Sequence, residues 1–532
     1  MPATAIRVIS ILACVILAQA CAERPDGESH DRNASAATAQ RSADPAEHCS
    51  SFARFGAGGL TIDSVSRITD REDLPEFCAI RGTIDPDIGF EARFPLEDWN
   101  GKYYQAGCGG YCGSLQPDKE GASNSINAAL KKGFATITTD GGHRAWIGDA
   151  SWAEDNPVAV EVYAHQLIPL THRAGSLLVR EYYGYPARLD YFGGCSNGGR
   201  LAAMAAQRYP ELFDGILGGG AVLNLSFSGG VFGSWVVQAN SGPEGERILN
   251  RANFAHKLPL LEQAVLAQCD GSDGRLDGVI SQPRNCAVDV GLLPRCGSRG
   301  GDQCFTEQEL AVIGKWYQGP RDSTGRQLFP GMPAGSERYW VIWFLDAEGQ
   351  TAPGNGLGGD YAKYLGFEGG APEDFTALDF DFDTDPARLE ASGRMLNATD
   401  PDLDAFKAAG GKYLLWHGWQ DPLVLPDQTV AWYEAIVDHM GGVSEVAPFM
   451  RLFMIPGMGH CWELPSASPD RFDPIAVLDA WVERGEPPRQ LHVTALDPAT
   501  ATVADAVVCP YQAAPLFLEE QYDSNEDYCP SD

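Results

Sequence analysis

Leu189-Asp190-Tyr191-Phe192-Gly193-Gly194-Cys195-Ser196-Asn197-Gly198-Gly199-Arg200 is the stretch on which the fold turns. Leu189–Phe192 reads as a short strand, Gly194–Gly198 is a complete G-x-S-x-G turn, and the Ala- and Met-rich run from Gly199 to Tyr209 reads as a helix. A strand–turn–helix of this kind thrusts its serine out of a sheet, and the two glycines give the backbone the freedom the turn needs. Ser196 is therefore the candidate nucleophile. Its hydroxyl is weak at neutral pH and needs an adjacent base. The bland alternative, a loop serine in a chance match, does not account for the strand before it and the helix after it.

Each neighbour of the elbow points to a second place in the chain. Cys195 precedes Ser196, and Cys461 follows His460 in Pro456-Gly457-Met458-Gly459-His460-Cys461. If Ser196 and His460 pair as nucleophile and base, their cysteines approach as well, and a disulfide needs Cα atoms only about 4.4–6.8 Å apart. One bond would then lock nucleophile to base. His460 follows a strand over Arg451–Ile455, and Asp421 follows a strand over Lys412–Trp416, so the order is Ser, Asp, His. His417 is a rival base, and Asp427 and Asp438 are rival acids. Asp140 and His143, after the Phe134–Thr139 strand, read as support for the site. For an oxyanion hole, Asn197 supplies one backbone N–H and Gly110, in Gln105–Gly113, supplies the other. Cys108 and Cys112 are placed to clamp that loop.

Strand and helix signals alternate from about Cys49, with a long helical pattern over Val160–Tyr183 and a strand over Leu212–Leu217. The rhythm breaks over residues 223–390, rich in Gly and Pro, and resumes with helices at Asp402–Ala409, Thr429–Asp438 and Ile475–Val482. The expected fold class is thus α/β: an α/β-hydrolase core (48–222 and 391–532) with a large inserted lid domain (223–390) over the catalytic edge.

The formal charge of −33, from 72 acidic and 39 basic residues, argues against a nucleic-acid partner. Residues 1–20 read as an export signal: Arg7, the apolar run Val8–Leu17, then Ala18-Gln19-Ala20. Cys21 directly after it is a candidate lipid-anchor site, although Ala18 stands where lipoprotein motifs usually carry Leu. Residues 21–47 are polar and suit a tether. Anchored and soluble exported forms both remain open. Of the 14 cysteines, Cys14 lies in the signal and Cys21 directly follows it; the remaining twelve, an even number, suit full pairing outside the cytoplasm.

Asp270-Gly-Ser-Asp273-Gly-Arg275-Leu-Asp277-Gly-Val279, between Cys269 and Cys286, clusters carboxylates and turn glycines in the way hard cations gather oxygen. The expectation is a structural calcium held by Asp270, Asp273 and Asp277 side chains and by Arg275 and Val279 carbonyls. A solvated acidic loop is the alternative. No H-E-x-x-H zinc spacing occurs.

These strings, together with Trp99-Asn100-Gly101-Lys102 and Thr139-Asp140-Gly141-Gly142-His143, resemble the tannase and feruloyl esterase family over about residues 49–530. The resemblance implies the hydrolase core, the calcium-bearing lid and the Cys195–Cys461 bond. By analogy it pairs Cys49 with Cys78, Cys269 with Cys286, Cys296 with Cys304 and Cys509 with Cys529, and it leaves Cys108 and Cys112 to each other. It implies a serine carboxylesterase without organic cofactor. The substrate would be a small aromatic or plant-polymer ester of a hydroxycinnamic or gallic acid. One bacterial branch cleaves mono(2-hydroxyethyl) terephthalate, and its free carboxylate would want an Arg. Across Trp340–Gly370 the only basic residue is Lys363, so phenolic acids come first and terephthalate second. Trp340, Trp343, Tyr361 and Tyr364 are candidate stacking surfaces, or lid core. A non-catalytic polymer binder and a serine peptidase are weaker readings.

Overall fold

Strands that are buried at nearly every position form the centre, as a sheet covered on both faces requires. The computed structural model describes residues 45–119, 125–297, 301–461, 471–496, 503–512 and 529. The expected signal, Cys21 and most of the tether lie outside the described residues, and a helix already begins at Pro45. No described helix is long and apolar enough to cross a membrane.

β1 (Leu60–Ile68), β2 (Phe77–Ile84) and β3 (Ile88–Pro95) pair antiparallel. Then come β4 (Lys102–Ala106), β5 (Ala135–Thr139), β6 (Leu189–Cys195), β7 (Gly215–Gly219), β8 (Lys412–Gly418) and β9 (Met450–Ile455). Among the described residues they make one sheet in the order β1-β2-β3-β5-β4-β6-β7-β8-β9. Every neighbour from β5 to β9 runs parallel, so the ends of β4, β6, β8 and β9 open on the same edge. Such an edge is where α/β sheets place their sites. A separate hairpin, β10 (Leu491–Leu496) and β11 (Val503–Val508), follows.

The helix expected over Val160–Tyr183 begins earlier, at Pro157, where Asn156 caps it by accepting from the Ala159 N–H. It is interrupted by a π turn at Val162–Gln166, which frees carbonyls from the helical ladder. The strand expected at Leu212–Leu217 lies instead at Gly215–Gly219, because Phe213 turns into the core against Phe192 before pairing starts. The helix behind the elbow, Asn197–Arg208, is buried from Asn197 to Ala206 and packs against β6 and β7.

The 223–390 segment is helical and irregular, with no named strand among its described residues. From Asp44 onward the chain clusters as one unit, so this segment is packed onto the core rather than hung from it. Its helices Gly233–Ala239 and Pro353–Asp360 cross at Gly233 and Gly358, where a Cβ on Gly233 would meet the Gly358 Cα at 2.3 Å. Only glycine permits that approach.

Glu337 opens the helix Glu337–Trp343 and is buried at 1% exposure. Its Oε1 accepts from the Tyr317 hydroxyl (2.6 Å) and the Gly335 N–H (2.9 Å), while burial pushes its pKa up to about 7. The folded state therefore favours the neutral carboxyl. That stability is intact below the ordinary glutamate value and is lost as pH rises through about 7. Glu337→Gln keeps an acceptor and removes the charge. Its Tm should exceed wild type by ~2 °C at alkaline pH, with no gain at acidic pH. An equal offset at both would contradict this account.

Candidate active site

Ser196 sits at the end of β6 with φ 61° and ψ −123°, a strained conformation for a residue with a Cβ. Its N–H donates to Gly219 O (2.9 Å), and its carbonyl accepts from Arg200 (3.0 Å) and Val222 (3.2 Å). The turn is close: a Cβ on Gly194 would meet the Gly198 backbone at 2.7 Å. These contacts over-determine the strained turn and hold the serine at the sheet edge.

His460 and Asp421 meet there, with His460 Nδ1 2.6 Å from Asp421 Oδ2. Both are almost fully buried. A carboxylate only accepts, so Nδ1 carries the proton and Nε2 is left as the base. Burial alone would raise the Asp421 carboxyl, but the adjoining His460 and His417 imidazoles outweigh it and hold it well below the carboxylate range. The Leu423 and Val424 N–H groups both donate to Asp421 Oδ1 at 2.9 Å.

The rivals go elsewhere. His417 is fully buried behind Asp421; its Nε2 donates to Asp421 Oδ2 (3.1 Å) and Val424 O (2.9 Å), and Thr429 donates to its Nδ1. It orients the acid. Asp427 pairs with Arg284, and Asp438 is exposed.

A disulfide joins Cys195 to Cys461, with Cα atoms 6.0 Å apart, and so couples the elbow to the His460 loop. A Cβ on Gly220 would lie within 3.3 Å of Cys195 Sγ and 3.4 Å of His460 Nδ1. No hydrogen bond closes the Ser196 hydroxyl onto His460 in this structure; such contacts tighten when substrate fills the site. The other disulfides are Cys49–Cys78, Cys108–Cys112, Cys269–Cys286, Cys296–Cys304 and Cys509–Cys529.

Gly110 and Asn197 both border the cavity at Ser196, and neither backbone N–H is spent on a turn or loop hydrogen bond among the described residues. Around them the bracing is dense. Asn197 Nδ2 donates to Cys108 O (3.1 Å), and its Oδ1 accepts from Arg200 Nε (2.7 Å). His143 donates to Tyr111 O (2.6 Å) and stacks on Trp152 at 3.7 Å. Burial lowers its pKa to about 4, which keeps the ring neutral. The Asp140 carbonyl accepts from the Gly113 N–H (2.7 Å), and burial raises its carboxyl to about 6. Asp140 and His143 thus support the Gly110 loop.

Arg200 and Gln420 have parts the sequence reading did not assign. Arg200 is fully buried with no carboxylate partner and donates to Asn197, to Leu396 O and to the π-turn carbonyls of Tyr163 and Ala164. Gln420 donates to Ile280 O (2.7 Å) and accepts from the Gly457 N–H, while the Tyr339 hydroxyl donates to Gly457 O (2.8 Å). Inserted segment, acid loop and base loop are tied together at these residues. The Arg200 signal was present in the string Gly199-Arg200: an arginine on a helix packed behind an elbow needs a structural partner. Gln420 gave no such signal.

The cavity at Ser196 is lined by Val222, Leu225, Phe232, Phe344, Leu357 and Leu423, with Tyr111 and Tyr163 hydroxyls already bound to Leu357 O and Gly110 O. Among the described residues no charged side chain lines it. Ser228 lines it too, and its hydroxyl has no hydrogen-bond partner among the described residues. Of the expected aromatics, Trp343 stands edge-on to His460 at 5.4 Å, whereas Trp340 and Tyr361 are fully buried core. Tyr364 packs at the core margin under Lys363, whose ammonium donates to Glu373 O.

In the acidic loop, Asp270, Asp273 and Asp277 accept from the Gly278, Arg275 and Val279 N–H groups. The three carboxylates do not gather as a group with all ligand atoms within 4.8 Å of one another; among the described residues the one such group of three or more His, Cys, Asp or Glu is Asp402, Asp404 and His439, at an exposed position. The all-oxygen donor set of the loop, pre-turned by its own amides, nevertheless fits a hard cation in kind.

The sequence profile of the tannase and feruloyl esterase family matches residues 74–529. An uncharacterised esterase of Xanthomonas campestris is 32% identical, covering 89% of this chain and 87% of its own length. The mono(2-hydroxyethyl) terephthalate hydrolase of Piscinibacter sakaiensis is 32% identical over 82% of each chain. Feruloyl esterase B from Aspergillus oryzae shares the fold at a TM-score of 0.73 and 23% identity, covering 87% of this chain and 95% of its own.

Replacing both Cys195 and Cys461 by Ser should cut kcat for any ester substrate by about tenfold or more, since a misplacement near 1 Å costs orders of magnitude. KM and far-UV circular dichroism should hardly change. Undiminished kcat in a folded double variant would show that the bond does not position the site.

Proposed function

Because this chain belongs to the tannase and feruloyl esterase family, and is an esterase, we propose that it hydrolyses esters of aromatic acids through an acyl-enzyme on Ser196. The observation that carries the mechanism is the buried His460–Asp421 contact beside the disulfide-tethered elbow. His460 Nε2 takes the Ser196 proton as Oγ attacks the ester carbonyl. The oxyanion is met by the Gly110 and Asn197 N–H groups, and Asp421 stabilises the imidazolium that forms. His460 then returns the proton to the departing alcohol, and water repeats the sequence on the acyl-enzyme.

An aromatic ring fits the apolar lining of the cavity, and the absence of charged side chains among its described lining residues supports an uncharged acid. A free carboxylate enclosed there would lose its hydration without a cation to replace it. Phenolic rings of the hydroxycinnamic or gallic type carry no such charge, and the Ser228 hydroxyl is available to them. The second reading, mono(2-hydroxyethyl) terephthalate, is favoured by the 32% identity to its hydrolase.

The same proposal places the protein outside the cytoplasm, exported by residues 1–20 and either released or anchored at Cys21. Calcium would be held by the carboxylates of Asp270, Asp273 and Asp277 with the carbonyls of Arg275 and Val279. There it would supply charge compensation for the loop that leads to Ile280 and so to Gln420.

The substrate test uses methyl ferulate, methyl gallate and mono(2-hydroxyethyl) terephthalate with wild type and Ser196→Ala. Expected is Ser196-dependent acid release, fastest from a phenolic ester and at least ~10³-fold slower in the variant. Fastest release from the terephthalate ester would overturn the choice of acid. Dialysis against a calcium chelator should lower Tm, with recovery on adding calcium; an unmoved Tm would remove the metal from the account.

A further inference from the structure

The Cys108–Cys112 disulfide closes a ring over Gly109, Gly110 and Tyr111, and Gly110 and Tyr111 line the cavity at Ser196. Both cysteines are almost fully buried. A link across four positions adds little to the stability of the whole chain, because the loop it closes is short. Its effect is local.

The Gly110 N–H belongs to the Gly109–Gly110 peptide unit, whose carbonyl accepts from the Cys112 N–H at 3.0 Å. A peptide unit is planar and trans, so its C=O and N–H point in opposite directions. Whatever holds the Gly109 oxygen therefore aims the Gly110 hydrogen. The two glycines cannot fix that plane themselves, since glycine tolerates either sign of φ. Cys112 holds it from a left-handed backbone, φ 63°, which residues with a Cβ seldom adopt. The bond to Cys108, with Cα atoms 5.3 Å apart, keeps Cys112 there. Gly141 makes the room, as a Cβ on it would lie 2.5 Å from the Cys112 Cβ.

The Tyr111 N–H donates to Ile147 O (2.8 Å), and the Tyr163 hydroxyl donates to Gly110 O (3.2 Å). Those two bonds restrain the peptide that follows, not the one that carries the Gly110 N–H. The second oxyanion donor is reached from the same ring. Asn197 Nδ2 donates to Cys108 O at 3.1 Å and to Cys112 Sγ at 3.5 Å. The first residue of the helix behind the elbow thus rests on both ends of the disulfide.

We infer that Cys108 and Cys112 are positioning residues of the oxyanion hole, their bond fixing the Gly110 N–H and Asn197 as one unit. The inference rests on the acyl-enzyme reading of Ser196.

The test uses p-nitrophenyl acetate, whose acyl group carries no ring, and phenylboronic acid. Ser196 Oγ adds to boron, its proton passes to His460, and the tetrahedral anion presents an oxygen to the oxyanion donors. Cys108→Ala/Cys112→Ala should lower kcat about tenfold or more and raise the phenylboronic acid Ki by a similar factor. KM should stay within about twofold of wild type. Cys108→Ala/Cys112→Gly, whose glycine takes the left-handed backbone without strain, should recover part of both losses. Cys49→Ser/Cys78→Ser, at the antiparallel end of the sheet, should lower Tm and leave the Ki unchanged. A wild-type Ki in either folded Cys108/Cys112 variant, or a Ki raised equally by the Cys49/Cys78 variant, would overturn the inference. If the alanine pair does not fold, the glycine variant decides on the same Ki. Wild type that cleaves p-nitrophenyl acetate but no aromatic ester would remove the aromatic-acid reading and leave this test standing. Wild type inert to both acetate ester and boronic acid would overturn the acyl-enzyme reading and the inference with it.

Discussion

The bond between Cys195 and Cys461 spans 266 residues of sequence and two loops that would otherwise be held only by separate strands. Loop closure over such a separation is worth of order 5 kcal/mol in the unfolded-state model. Its local effect matters more. It fixes the residue before Ser196 to the residue after His460, so relative motion of β6 and β9 cannot easily part them. Asp421 then needs to hold only one further degree of freedom, the ring orientation of His460, and His417 holds Asp421 in turn.

A second constraint operates beneath the elbow. Burying the Arg200 guanidinium without a carboxylate costs several kcal/mol. It makes four hydrogen bonds, to Asn197 Oδ1 and to the carbonyls of Tyr163, Ala164 and Leu396. At about 1.5–3 kcal/mol for each bond to a charged group, these offset the burial. The arrangement uses the carbonyls that the π turn at Val162–Gln166 releases. Through Asn197 it reaches Cys108, so Asn197 and the Gly110 loop, the two proposed oxyanion donors, belong to one rigid unit. A lysine, with no planar fork, could not make the same four contacts.

Most of the core was legible because its signals are local. A strand, a glycine turn and a buried helix within twenty residues announce the elbow, and the two cysteine neighbours convert a distant histidine into its partner. The acid was legible only as a choice among aspartates, and His417 at the end of β8 was separable from His460 only by its burial behind Asp421. Leu212–Leu217 was displaced rather than wrong: pairing with β6 and β8 runs Gly215–Gly219, and Gly218 and Gly219, poor strand formers on composition, extend it past the expected end. The inserted segment was opaque for a related reason. Its π turns at Ser226–Phe232 and Tyr361–Gly366 and its glycine crossings break the 3.6-residue period that sequence reading relies on. Hence Trp340 and Tyr361 could not be told from Trp343, and Ser228 drew no notice.

Among the described residues the cavity at Ser196 is apolar and has no charged side chain in its lining. The proposed chemistry rests on the serine–histidine–aspartate assignment, and active-site labelling tests it most directly. A fluorophosphonate probe should give one adduct per chain, on the peptide containing Ser196, and the labelling rate should collapse in His460→Ala. An adduct on another residue, or labelling of Ser196 at the wild-type rate without His460, would contradict the account.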